Sequence, residues 1–183
     1  MKLKFSIFLI SCLLFIAGIG FAQHASLRNE DALKYVDPYI GSDYHGHVFV
    51  GTNVPYGMIQ LGPSNIHKGW DWCSGYHYSD SILIGFSHTH LSGTGCTDLG
   101  DILIMPLNEI RTPRGNQDDI QGGYASKYSH DNEIVRPEYY SLLVDRYGIK
   151  AELTTTDRVG FHRYTYPEGK PASILIDLRE GNG

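Results

Sequence analysis

From Tyr35 onward, the apolar residues of this chain fall in short runs separated by Gly, Pro, Asn and Asp. No long stretch repeats its apolar residues at the helical period. Between Ile149 and Thr155 apolar and polar side chains alternate, which is typical of a strand with one face in water. Many short strands joined by turns predict an all-β fold, an antiparallel β-sandwich. The predicted strands are Gly57–Leu61, Ile82–Ser87, Ile102–Leu107, Tyr124–Tyr128, Tyr139–Asp145, Ile149–Thr155, Val159–Tyr166 and Ser173–Leu178.

The N-terminus has the organisation of a secretory signal peptide. Met1–Lys4 is positively charged, Phe5–Ile19 is apolar, and small residues precede a cleavage point after Ala22. The apolar run is shorter than the roughly 18 residues that a spanning helix needs. We therefore predict export to the periplasm or the exterior without a membrane span, a signal peptide over 1–22, a polar lead-in over 23–34 and a sandwich domain over 35–183.

Cleavage would remove Lys2 and Lys4 from the 15 basic residues, leaving 13 against 20 acidic residues and a formal net charge of −7. Because no basic stripe survives, nucleic acid is not an expected partner.

Three cysteines carry separate expectations. Cys12 is compatible with a lipoprotein cleavage box and a lipid anchor, but the apolar run that continues to Ile19 argues against it. Cys73 and Cys96 either pair in an oxidising compartment or line a pocket as free thiols. We favour free thiols.

The segment from Gly69 to Asp101 holds both tryptophans, three histidines and four aspartates of the chain. Aromatic faces beside short polar groups suit a pyranose, which offers an apolar CH face and a rim of hydroxyls. Small residues such as Gly93 and Gly95 let the backbone approach a ligand. Burial in the core is an equally open interpretation for either tryptophan.

Two H-x-H pairs, His45–His47 and His88–His90, would each place two imidazoles on one face of a strand, where they could hold a metal. Asp98 and Asp101 could add carboxylates. No complete zinc motif such as H-E-x-x-H is present, so we favour hydrogen bonding to backbone or a polar ligand. A metallohydrolase built on these pairs is the weaker hypothesis.

A glycosidase needs two carboxyl groups across the scissile bond. The segment offers only aspartates, since no glutamate lies between Glu30 and Glu109. Aspartate commonly caps loops, so we expect a contribution to binding rather than a complete catalytic pair. The aspartates considered are Asp71, Asp80, Asp98 and Asp101.

Five segments and one proline form a set of motifs along the chain: Val36–Gly41, His45–His47, Val54–Leu61, Gly69–Asp80 and Gly85–Asp101, with Pro106. Together they resemble the N-terminal domain of glycoside hydrolase family 92, the calcium-dependent exo-acting α-mannosidases. Phe49–Thr52 and Pro63–Asn65 depart from the pattern of that family.

The resemblance implies a two-domain enzyme, in which this sandwich packs against a C-terminal (α/α)6 barrel with the active site between them. In such enzymes calcium binds mannose O2 and O3, a glutamic acid protonates the leaving oxygen, and an aspartate activates water with inversion. These groups belong largely to the barrel. We therefore expect this chain, truncated before the barrel, to supply sugar contacts and the domain interface, with no catalytic residue or metal ligand of its own.

By the same resemblance, Trp70 and Trp72 are assigned to aromatic contact with a mannose-containing glycan. The alternative is a non-catalytic carbohydrate-binding module that uses both indoles as a platform. The expected substrate-binding residues are Trp70, Asp71, Trp72, Cys73, His77, His88, His90, Ser92, Cys96, Asp98 and Asp101.

Overall fold

The computed structural model of the protein describes residues 32–179. The predicted signal peptide and the possible anchor at Cys12 lie outside these residues. Over the described range, no helix has both the length and the apolar character that crossing a membrane requires.

The unit that begins at Asp37 is built from strands and two short 3₁₀ turns. The turns are Trp70–Trp72 and His130–Asn132. The strands are β1 (Gly62–Asn65), β2 (Ile82–Ser87), β3 (Leu103–Leu107), β4 (Ser126–Lys127), β5 (Glu133–Arg136), β6 (Tyr139–Val144), β7 (Ile149–Thr155), β8 (Gly160–Thr165) and β9 (Ser173–Asp177).

These strands form two antiparallel sheets. The first has the order β1-β2-β3-β9, with β4 also paired to β2, and the second has the order β5-β6-β7-β8. In β7, Ile149, Ala151 and Leu153 are buried while Lys150 and Thr154 are exposed. The second sheet therefore turns one face to the core and the other to solvent, as the sequence alternation predicts.

The core lies between the two sheets. Phe86 of β2 reaches the second sheet, where its ring centroid lies 6.3 Å from those of Tyr140 and Tyr164. Leu103 and Met105 of β3 join the same buried cluster. The prediction of an all-β antiparallel sandwich is confirmed.

The predicted strands β2 and β7 agree with the structure residue for residue, but the prediction of a strand at Gly57–Leu61 is wrong. Gly57 N–H donates to Val54 C=O at 2.9 Å, which closes a turn there. The strand begins instead at Gly62, in a segment of Gly, Pro, Ser and Asn that has little intrinsic β-propensity. Pairing with β2 and complete burial therefore decide its conformation.

The strand β5 is not among the predicted strands, and it begins with Glu133, a residue type expected in solvent. The buried Glu133 carboxylate accepts hydrogen bonds from the hydroxyls of Tyr140 at 2.7 Å, Tyr76 at 3.2 Å and Tyr39 at 3.4 Å. His130 Nδ1 lies 2.6 Å from the same carboxylate. A buried carboxyl group with this many hydrogen-bond partners is compatible with a strand that turns inward.

Candidate functional site

The two tryptophans of the segment sit in one 3₁₀ turn, yet their indoles have different environments. Gly69 enters the turn at φ 122°, a conformation that favours glycine. Trp70 is 56% exposed. Trp72 is half-buried, and its Nε1–H donates to Asp80 Oδ2 at 2.8 Å. Trp70 is therefore the indole that faces solvent.

Three neighbours fix the position of the Trp70 indole. The His47 ring meets it edge to face at 4.2 Å, and the His45 ring lies 5.2 Å away. A Cβ built on Gly95 would overlap Trp70 Nε1, so the backbone of that loop rests directly against the edge of the indole. These contacts hold the indole in place while more than half of the residue stays exposed. We call Trp70, His45, His47, Asp71 and Gly95 the Trp70 surface.

Asp71 places a carboxylate beside this indole. Its Oδ1 lies 2.5 Å from His45 Nδ1, and the same oxygen is 3.6 Å from His47 Nε2, beyond hydrogen-bond distance. The hydrogen bond from His45 is the main reason that the pKa of Asp71 lies below its usual value. Asp71 is thus an anionic acceptor at neutral pH.

Trp72 and His77 pack against each other next to this surface in the sequence, and we call them its support. Their rings stack at 4.3 Å. His77 is buried, and its Nδ1 contacts Ser79 Oγ at 2.8 Å. Asp80, which accepts from Trp72, also lies 2.7 Å from Lys68 Nζ. The polar atoms of Trp72 and His77 are therefore engaged within the protein.

The structure separates the histidines of the second H-x-H pair. His90 is buried, with Nδ1 2.8 Å from Gln60 C=O and its ring stacked on Phe49 at 5.2 Å. Burial lowers the pKa of His90 to about 4, so the ring is neutral at pH 7. His88 points elsewhere: its Nε2 lies 3.1 Å from Nε2 of His162.

Sequence reasoning missed His162. It lies on the inward-facing side of β8 with Tyr164, whose hydroxyl is 2.7 Å from His162 Nδ1. Burial, and then the charge of His88, lower the pKa of His162 to about 4. A histidine at an inward position of an alternating strand was the signal available in the sequence.

The two cysteines of the segment are both free thiols in the structure. Cys73 is buried and donates from Sγ to Thr94 C=O at 2.9 Å, and burial raises the pKa of its thiol. Cys96 is exposed.

The remaining predicted residues lie in the loops around β2 and β3, where they hold backbone or hydroxyl groups. Ser92 Oγ accepts from Phe49 N–H at 3.0 Å, and Asp98 Oδ1 accepts from the adjacent backbone N–H at 2.8 Å. Asp101 Oδ2 accepts from Thr89 Oγ1 at 3.1 Å. These contacts are the loop-capping roles that aspartate and serine commonly have.

Within residues 32–179, no group of three or more His, Cys, Asp or Glu side chains is arranged to hold a metal ion. The metallohydrolase hypothesis therefore gains no support from the site geometry. Of the expected substrate-binding residues, Trp70 and Asp71 belong to the Trp70 surface, where the first H-x-H pair, His45 and His47, joins them.

The fold and this surface define a class: an antiparallel β-sandwich domain with aromatic and polar side chains gathered on its loops. The sequence model of the Glycosyl hydrolase family 92 N-terminal domain matches residues 35–183. The chain therefore belongs to glycoside hydrolase family 92, in its N-terminal domain.

Solved structures agree with this membership. The family GH92 alpha-mannosidase of Bacteroides thetaiotaomicron, solved alone and with mannoimidazole, is 44% identical with a TM-score of 0.79, over 82% of this chain and 20% of that chain. A family GH92 inverting mannosidase of the same organism is 27% identical with a TM-score of 0.66, over 79% of this chain and 19% of that chain.

A curated relative from Arthroderma benhamiae, described as an uncharacterized secreted glycosidase, is 30% identical over 174 residues, or 89% of this chain and 22% of the relative. The chain thus spans about a fifth of the length of these relatives.

Proposed function

We propose that this chain is the N-terminal part of an exported α-mannosidase, and that the Trp70 surface forms one wall of its sugar-binding cleft. The exposed indole of Trp70 carries the proposal, since it lies beside the anionic Asp71. A pyranose would pack its CH face on the indole while Asp71 accepts a hydrogen bond from a hydroxyl. The 44% identity to a family mannosidase supports mannose as the sugar.

Inverting hydrolysis would depend on carboxyl groups outside this chain. The mechanism needs an acid and a base about 6.5–9.5 Å apart, with room for a water molecule. Asp80 is buried beside Lys68, and Asp98 and Asp101 hold groups within their own loops. Following the family resemblance, we assign the acid and the base to a C-terminal (α/α)6 domain, against which this sandwich would pack.

Calcium dependence, which the family resemblance implies, would also rest on residues outside this chain. Ca²⁺ takes six to eight oxygen ligands, mainly carboxylates and carbonyls. The part of the chain that the structure describes offers no convergent set of acidic side chains for such an ion. The acidic side chains of residues 32–179 therefore do not fit a calcium site.

The proposal is tested by replacing Trp70 in the protein that carries the following catalytic domain. An aromatic contact worth about 0.5–1.5 kcal/mol predicts that Trp70→Ala lowers kcat/KM for an α-mannoside by about two- to twelvefold, and Trp70→Phe by less. Tyr56→Ala is the matched control, because that aromatic side chain is also exposed. Equal kcat/KM in Trp70→Ala and the control would contradict the proposal. Full activity in excess EDTA would contradict calcium dependence alone.

A carbohydrate-binding module without catalysis is the second candidate, because the Trp70 indole is exposed on this chain by itself. Quenching of its fluorescence by mannose, together with absence of hydrolysis by the longer protein, would favour the module over the enzyme.

A further inference from the structure

His88 and His162, which do not belong to the Trp70 surface, contact each other between the two sheets. His88 follows the last residue of β2, and His162 lies in β8 of the other sheet. Their Nε2 atoms are 3.1 Å apart and their ring centroids 4.9 Å apart. Gly160 allows this approach, since a Cβ there would lie 3.0 Å from His88 Cδ2. The pair therefore joins the two sheets.

The second nitrogen of each ring is held by a suitable partner. His88 Nδ1 lies 3.1 Å from Ile102 C=O, which can only accept, so Nδ1 carries the proton and Nε2 of the neutral ring presents its lone pair. His162 Nδ1 lies 2.7 Å from the Tyr164 hydroxyl, which can donate or accept. His162 can thus carry its proton on either nitrogen. Metal-binding histidines are held in this way, through the ring nitrogen that does not bind the metal.

The separation of the two Nε2 atoms suits a shared metal ion. With metal–nitrogen bonds of about 2.05 Å, the two ligating nitrogen atoms would be about 2.9 Å apart if the nitrogen–metal–nitrogen angle is a right angle. They would be about 3.3 Å apart if that angle is tetrahedral. The observed 3.1 Å falls between these values. Both rings are partly exposed, so the pair is not sealed within the core.

We propose that His88 and His162 form a two-imidazole chelate for a divalent transition metal ion such as Zn²⁺, Cu²⁺ or Ni²⁺. On binding, the His162 proton moves from Nε2 to Nδ1, and the Tyr164 hydroxyl changes from donor to acceptor. Both Nε2 lone pairs then bind the ion, and water completes its coordination. Because imidazole suits these ions and oxygen ligands suit Ca²⁺, the site is independent of any calcium in the enzyme.

Bound metal would link the two sheets and stabilise the folded protein by mass action. The test uses untagged protein and Cu²⁺ or Zn²⁺ as the only added ligand. We expect one equivalent of Cu²⁺ to bind with two nitrogen couplings in its electron paramagnetic resonance spectrum, and Zn²⁺ but not Ca²⁺ to raise Tm. His88→Gln and His162→Gln should each abolish both effects. His67→Gln, at an exposed histidine, is the matched control and should retain them.

A second measurement avoids dependence on the folding of the variants. In the wild-type protein, imidazole ¹⁵N resonances followed during a Zn²⁺ titration should shift for Nε2 of His88 and His162. Shifts confined to other histidines, or equal metal binding by His88→Gln and the control, would overturn the proposal and would leave the α-mannosidase proposal untouched.

Discussion

Buried His90 makes the stability of this domain depend on pH. Burial lowers its pKa from the ordinary value of 6.5 to about 4, and the ring is neutral between Gln60 C=O and Ser64 Oγ. Because the folded pKa lies below the unfolded value, the unfolded chain binds more protons through the window from about pH 6.5 to pH 4. The contribution of His90 to the free energy of unfolding is therefore fully present above that window, and it is lost as the pH falls through it.

The size of the effect follows from the same difference. At about 1.36 kcal/mol per pH unit, protonation of His90 in the unfolded chain alone is worth about 3 kcal/mol between pH 7 and pH 4. His162, with a pKa also lowered to about 4, acts in the same direction. A loss of this size is a large part of the stability of a typical domain.

The assay is urea unfolding at a series of pH values across this window, followed by circular dichroism. His90→Gln removes the titrating ring and keeps a side-chain amide that can donate to the Gln60 carbonyl. Between pH 7 and pH 4, the free energy of unfolding of this variant should therefore fall by about 3 kcal/mol less than that of the wild type. His67→Gln serves as the exposed control and should follow the wild type. Identical pH dependence in His90→Gln and wild type would refute the reasoning.

Three further predictions concern the Trp70 surface and its support. Gly95→Ala should displace the Trp70 indole, because a Cβ at that position would overlap it. Measured in a Trp72→Phe background, where Trp70 is the remaining tryptophan, the fluorescence maximum should shift. An unchanged spectrum would contradict the contact. Trp72→Phe should itself lower the free energy of unfolding in urea by about 1–3 kcal/mol, because it leaves a buried carboxylate without one donor. In the folded mature chain a thiol reagent should modify Cys96 rapidly and Cys73 only on unfolding; equal rates would contradict the burial of Cys73.

The sequence was sufficient for the fold class and for strands whose side chains follow a simple rule. β2 is a short, largely apolar run, and in β7 apolar and polar side chains alternate. The bounds of both strands agree with the prediction. The segment Gly69–Asp101, rich in tryptophan and histidine, could also be identified from the sequence, because its composition can be read without knowing the fold. The family resemblance carried by these motifs agrees with the match over residues 35–183.

Only the tertiary structure decided which of these side chains face solvent and which partners they take. Trp70 and Trp72 are two residues apart in one turn, yet the first is exposed and the second donates to a buried carboxylate. His88 and His90 point to different partners, and His162 reaches His88 from 74 positions along the chain. Such contacts depend on how the two sheets pack, because burial and pairing between distant segments are set by the whole fold and leave no pattern within a short stretch of sequence.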